Sequence, residues 1–134
     1  MSVQEVSANG TSIWLDDLSR AKITSAEPHA LPARIKHSGV VGVTTNPSIF
    51  SAAISGAAEY AADIALMQAA SVDEVVKKLT TDDVRQACDL FTSIYESSQG
   101  VDGRVSIEVD PRLAHDTEGT IAAGKELWAI IDRP

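Results

Sequence analysis

Three short stretches of this sequence concentrate side chains that can move protons or hold hydroxyl groups. They are Asp16 and Asp17 in SIWLDDLSR, Thr44, Thr45 and Asn46 in VVGVTTNPSIF, and Glu108 and Asp110 in VSIEVDPRL. In each, the polar residues end a run of strand formers. Carboxylates exchange protons, and an amide can fix hydroxyl groups. Two carboxylates and an amide converging on one pocket therefore suit proton transfer on a hydroxylated substrate. The same residue types also cap helices and shape turns. Position alone leaves both roles open. A metal site built from Asp16, Glu108 and Asp110 is a further arrangement of these carboxylates, although no histidine is placed to complete it. His29 and His37 fall in or beside the first predicted helix, and His115 falls just before the last.

Convergence requires neighbouring strands that end on the same side. The pattern predicts a strand over 12–16, a helix begun near Pro28 and closed by Gly39, and a second strand over 40–45. That strand is apolar on both faces, as in a parallel sheet covered by helices. Asn46 can cap the next helix, with Pro47 at its first position and Ile49, Ala53 and Ile54 at helical spacing. Gly56 ends it. AEYAADIALMQAA predicts a helix with Tyr60, Ile64 and Met67 on one face. SVDEVVKKL begins another with a capping pattern from Ser71 to Glu74. A further helix begins at Thr81 and Asp82, with a core stripe of Val84, Cys88, Phe91 and Tyr95. Residues 103–110 alternate and predict a third strand, and Asp116 and Thr117 open the last helix. Strands alternating with helices point to an α/β fold of parallel βαβ units with right-handed crossovers. In such folds chemistry collects at the C-terminal ends of strands. Alternation sends Asp16 and Asp17 to opposite faces and puts Glu108 and Asp110 on one face.

Composition sets further bounds. The 134 residues carry a formal net charge of −8, which argues against nucleic-acid binding, since that requires basic patches. Residues 1–10 are polar and are expected to be a flexible N-terminus, leaving 11–134 as part of one domain. Cys88 is the single cysteine, so no internal disulfide forms and a reducing compartment is expected. With no signal-like start and no 18-residue apolar span, the expectation is a soluble cytoplasmic protein without membrane contact. No glycine-rich dinucleotide or P-loop pattern occurs.

SIWLDDLSR, GVTTNPSIF and VSIEVDPRLAHDT together resemble the transaldolase family, in order and approximate spacing. The pairing of TTNPS with a following S-x-E-V-D-x-R-L carries the specificity, and the resemblance covers nearly all of the chain after residue 10. The segment 57–99, containing DDVRQACDLF, resembles the helical insertion of a bacterial form. The resemblance implies the N-terminal portion of a TIM (β/α)8 barrel: an incomplete barrel of about three βα units, with that insertion between strands 2 and 3. It implies transfer of a dihydroxyacetone unit between sugar phosphates through a lysine Schiff base, with no metal or organic cofactor. It prefers Asp16 over Asp17, and Glu108 over Asp110. Asp16 takes the role of acid/base, Glu108 assists proton transfer through a water, and Asn46 binds donor hydroxyls. Thr44 and Thr45 shape the pocket. The family's Schiff-base lysine sits on a fourth strand, in a segment of the type xIKIPAT, and none of the 134 residues matches it. The chain alone is therefore expected to be inactive, with open sheet edges that favour self-association or a complementing C-terminal half. An inert βα scaffold or regulatory module and a related Schiff-base aldolase are the alternatives that the same residues allow.

Overall fold

The computed structural model describes residues 2–134. Three parallel strands, β1 (Ile13–Asp16), β2 (Val40–Thr44) and β3 (Arg104–Val105), form one sheet in the order β1-β2-β3. The helices are α1 (Val3–Ala8), α2 (Arg20–Thr24), α3 (Leu31–Ser38), α4 (Pro47–Ile54), α5 (Ala61–Leu66), α6 (Val72–Ser97) and α7 (Thr117–Ile131). Single 3₁₀ turns cover Ala58–Tyr60 and Pro111–Leu113. Because all three strands run the same way, every crossover returns the chain to the same end of the sheet. Asp16, Thr44 and the segment after Val105 therefore lie at a common edge, as the strand–helix alternation predicts.

The two sheet faces differ. Ile13, Leu15, Val43, Val105 and Ile107 turn toward the helices and join a core with Leu18, Leu31, Phe50, Val84 and Phe91. Trp14 and Asp16 alternate to the opposite face. There the Trp14 indole covers Gly42, where an added Cβ would lie 2.5 Å from Trp14 Cε2. Trp14 nevertheless stays 39% exposed, because none of the helices covers that face.

Several elements differ from the sequence expectation. Within residues 1–10, expected to be flexible, α1 forms behind a capping box in which Ser2 and Glu5 satisfy each other's amides. Helix α2 is too short to show periodicity and is marked only by its Ser19 cap. The first predicted helix begins later, at Leu31, and ends as expected at Gly39 in the left-handed region, φ 67°. The two helices expected at Ser71 and Thr81 are one helix of 26 residues. The hydroxyls of Thr80 and Thr81 do not cap a new start. They donate back to the carbonyls of Val76 (2.9 Å) and Lys77 (2.8 Å) within the continuous helix. Tyr60 is buried but Ile64 is 42% exposed, so the single apolar face expected for that segment is not present. Tyr60 ends the 3₁₀ turn, and Ile64 lies in α5.

The predicted strand over 103–110 shrinks to Arg104–Val105. Gly103 and Ser106 still donate to the carbonyls of Val41 (2.7 Å) and Val43 (2.9 Å). Beyond Ser106 the neighbouring chain has already turned into α4, so no ladder partner remains. Among the described residues, no single helix is long and apolar enough to cross a membrane.

Candidate active site

Asp16 and Thr44 are direct partners in the β1–β2 ladder. The Thr44 hydroxyl donates to Asp16 Oδ1 at 2.6 Å, which orients the carboxylate and leaves Oδ2 available. Asp17 faces the other way and pairs with Lys22. The alternation expected between the two aspartates is thus realised, and one of them is taken up by a local ion pair.

Asn46 performs two separable tasks. Its Oδ1 accepts from the Ile49 amide at 2.9 Å and caps α4. With the oxygen fixed in the cap, the Nδ2 group is left as a donor with no hydrogen-bond partner among the described residues. Asn46 lines a cavity of about 440 Å³ together with Asp17, Ser19, Lys22, Ser48 and Ile49, on the side of Asp17, and Asp16 is not among its lining residues.

Thr45 is 2% exposed and does not line a pocket. Its amide donates to Ser106 Oγ (3.2 Å) and its hydroxyl donates to the Ser106 carbonyl (2.8 Å). It thereby ties the end of β2 to the segment that leads to Glu108. Ser106 is the partner that sequence reasoning missed. Its only signal is its place two residues before Glu108 in the alternating run.

Glu108 and Asp110 do not share a strand face, because the strand ends before them. Asp110 caps the following 3₁₀ turn and accepts from the Arg112 amide (2.8 Å) and Nε (2.7 Å). These hydrogen bonds hold its carboxyl below the usual carboxylate range. Glu108 is exposed and has no hydrogen-bond partner among the described residues. Of the two, Glu108 is the carboxylate left free for chemistry. Among the described residues no three His, Cys, Asp or Glu side chains are arranged to hold a metal ion.

All the lysines lie on helices. Lys22 belongs to α2 and pairs with Asp17. Lys77 and Lys78 pair with Glu126 and Asp82. Among the described residues no lysine projects from the sheet toward Asp16.

The chain is an α/β protein whose parallel sheet carries an oriented carboxylate, a free carboxylate and a free amide near the C-terminal ends of its strands. The chain belongs to the transaldolase/fructose-6-phosphate aldolase family, which it matches over residues 13–134. It is 56% identical over 131 residues to a transaldolase of Mycolicibacterium smegmatis, covering 96% of this chain and 34% of the relative. A Mycobacterium tuberculosis transaldolase shows the same identity and coverage. Transaldolase 1 of Streptomyces avermitilis is 54% identical over 136 residues, covering 99% of this chain and 35% of the relative. The chain thus spans about a third of the length of these curated relatives.

Proposed function

We propose that these residues supply the acid/base and hydroxyl-binding side of a transaldolase active site. The reaction moves a dihydroxyacetone unit from sedoheptulose 7-phosphate to glyceraldehyde 3-phosphate, giving erythrose 4-phosphate and fructose 6-phosphate. The proposal rests above all on the Asp16–Thr44 pair at the ends of β1 and β2, in a chain of this family. Asp16 takes the hydroxyl proton as the carbon–carbon bond breaks, and returns it when the new bond forms. Thr44 keeps the carboxylate aimed. Asn46 Nδ2 holds donor hydroxyls while its oxygen remains in the helix cap. Glu108, through a water, shuttles protons during Schiff-base formation and hydrolysis.

In this reading β1, β2 and β3 are consecutive strands of a TIM barrel, and the uncovered sheet face carrying Trp14 and Asp16 is the barrel interior. The open edges of β1 and β3 then pair with complementing strands or, without them, with other copies. The lone cysteine supports a cytoplasmic placement.

The Schiff base needs a lysine amine in an apolar, strand-borne setting that lowers its pKa. Every lysine here is helical, so the nucleophile lies outside these 134 residues. Borohydride trapping with fructose 6-phosphate tests this. The 134-residue chain should remain unlabelled, and a polypeptide that continues through a strand lysine should be labelled stoichiometrically. Stoichiometric labelling of the 134-residue chain would overturn the assignment.

A further inference from the structure

Behind the sheet end lies a polar cluster that the proposed reaction does not use. Asp83 lies in mid-α6 and is 0% exposed. The Arg20 Nε–H donates to Asp83 Oδ1 at 2.9 Å, and the Tyr60 hydroxyl donates to Asp83 Oδ2 at 2.6 Å. The ring closes through the backbone, where the Arg20 amide donates to Tyr60 Oη at 2.9 Å. The guanidinium stacks over the Tyr60 ring, 4.7 Å from its centroid, and also pairs with Asp63. Burial, followed by the bond to Asp83, pushes the Tyr60 phenol well above its ordinary value, so it remains a donor.

Such a cluster is a poor choice for stability alone. Buried ion pairs can often be replaced by apolar side chains with no loss of stability, or with a gain. What it provides is fixed geometry. The Arg20 amide is one of the orphan donors in the first turn of α2. It is satisfied by a tyrosine 40 residues away, in the segment between β2 and β3. The chain leaving Asp16 is therefore held at several points in succession. Thr44 holds Asp16 itself, Leu18 is buried in the core, Ser19 caps α2, and the cluster grips Arg20 by backbone and side chain.

Resting on the transaldolase reading, we propose that Arg20, Tyr60 and Asp83 are positioning residues. They clamp the β1–α2 turn so that Asp16 keeps its catalytic orientation. The helical segment 58–97 thereby acts on the active site through this clamp.

Tyr60→Phe removes the clamp's link to the backbone with little change in volume. In the full-length enzyme that carries this segment, kcat should fall about 10- to 100-fold, with KM within about twofold, because small misplacements of a catalytic group are costly. Hydrogen exchange at the Arg20 amide should quicken by at least about tenfold as its partner is lost. The triple variant Arg20→Met, Tyr60→Phe, Asp83→Leu should keep its melting temperature or raise it, yet lose the same turnover. Leu79→Ala, a core truncation in the same helix, serves as the control. It should lower the melting temperature and leave kcat near that of the parent.

Turnover in Tyr60→Phe within twofold of the parent, or a loss no greater than in Leu79→Ala, would overturn the proposal. Unchanged Arg20 exchange in Tyr60→Phe would also overturn it, whatever the activity. If the parent enzyme itself shows no transaldolase turnover, the functional reading falls, and the exchange rates still decide whether the clamp exists.

Discussion

At the scale of single residues, the site depends on which polar groups the fold leaves free. The sequence shows two adjacent aspartates and two carboxylates near residue 108. Alternation along β1 separates Asp16 from Asp17, and that much is legible from the pleat. The choice between Glu108 and Asp110 is not, because it turns on the Arg112 side chain folding back onto Asp110. Nor does spacing reveal that Thr45 is buried against Ser106 while its neighbour Thr44 orients Asp16. Removing the proposed acid/base group in the complete enzyme, Asp16→Ala, should lower kcat by about 10²–10⁴-fold. Steady-state kinetics check this, and a near-normal rate would reject the role. Asn46 permits a sharper dissection. Asn46→Asp keeps an oxygen for the Ile49 amide and suits a helix N-terminus, so stability should hold. It loses the free donor and should raise KM. Asn46→Ala loses both functions and should also destabilise by about 1 kcal/mol. Melting curves and KM for the pair separate the cap from the binding role. Equal KM in parent and Asn46→Asp would remove Asn46 from substrate binding.

At the scale of elements, periodicity was informative where a helix is long and amphipathic. Of the stripe Val84, Cys88, Phe91 and Tyr95, Val84 and Phe91 are enclosed in the core and Cys88 packs against it, whereas Tyr95 lies outside the core with the Arg104 guanidinium stacked over its ring. Boundaries were less legible. Thr81 and Asp82 look like a start signal, and only the return of the Thr80 and Thr81 hydroxyls to preceding carbonyls shows that the helix runs through. The third strand was overestimated because alternation continues in the sequence after the partner strand has ended. The entry to β3 depends on one backbone conformation. Gly103 has φ +79°, and a Cβ there would lie 2.5 Å from the Tyr95 amide nitrogen and 2.8 Å from its Cα. Gly103→Ala therefore combines left-handed strain of about 1–2 kcal/mol with a clash against helical backbone that cannot yield locally. A loss of about 2–4 kcal/mol is expected. Urea titration should show a lower midpoint at unchanged slope. An unchanged midpoint would mean that the turn before β3 has an alternative path.

At the scale of the molecule, the chain exposes more than a closed domain of its size would. Its accessible surface is 8128 Å² at 14.2 kDa, against about 6,800 Å² for a compact monomer. The excess has identifiable sources. One sheet face carries the half-open Trp14. Beside β3, an apolar cavity of about 250 Å³ is lined by Val105, Ile107, Val109, Leu127 and Ile131. Trp128 forms part of its rim and is 63% exposed. An unpaired strand edge next to an apolar groove is a template for pairing with another chain. The net charge of −8 opposes association at long range, but salt screens it beyond about 8 Å at physiological ionic strength. The apolar contact, which salt leaves intact, should then win. The 134-residue chain should scatter light as a species heavier than 14.2 kDa, in a concentration-dependent way that increases with salt. It should also bind a hydrophobic dye. Trp128→Lys places a charge on the groove rim with little disturbance to the core, and should shift the chain toward monomer. A single non-associating 14.2 kDa species at all concentrations and salts, blind to the dye, would show that these faces are covered within one chain. The barrel reading of the open sheet face would then have to be abandoned.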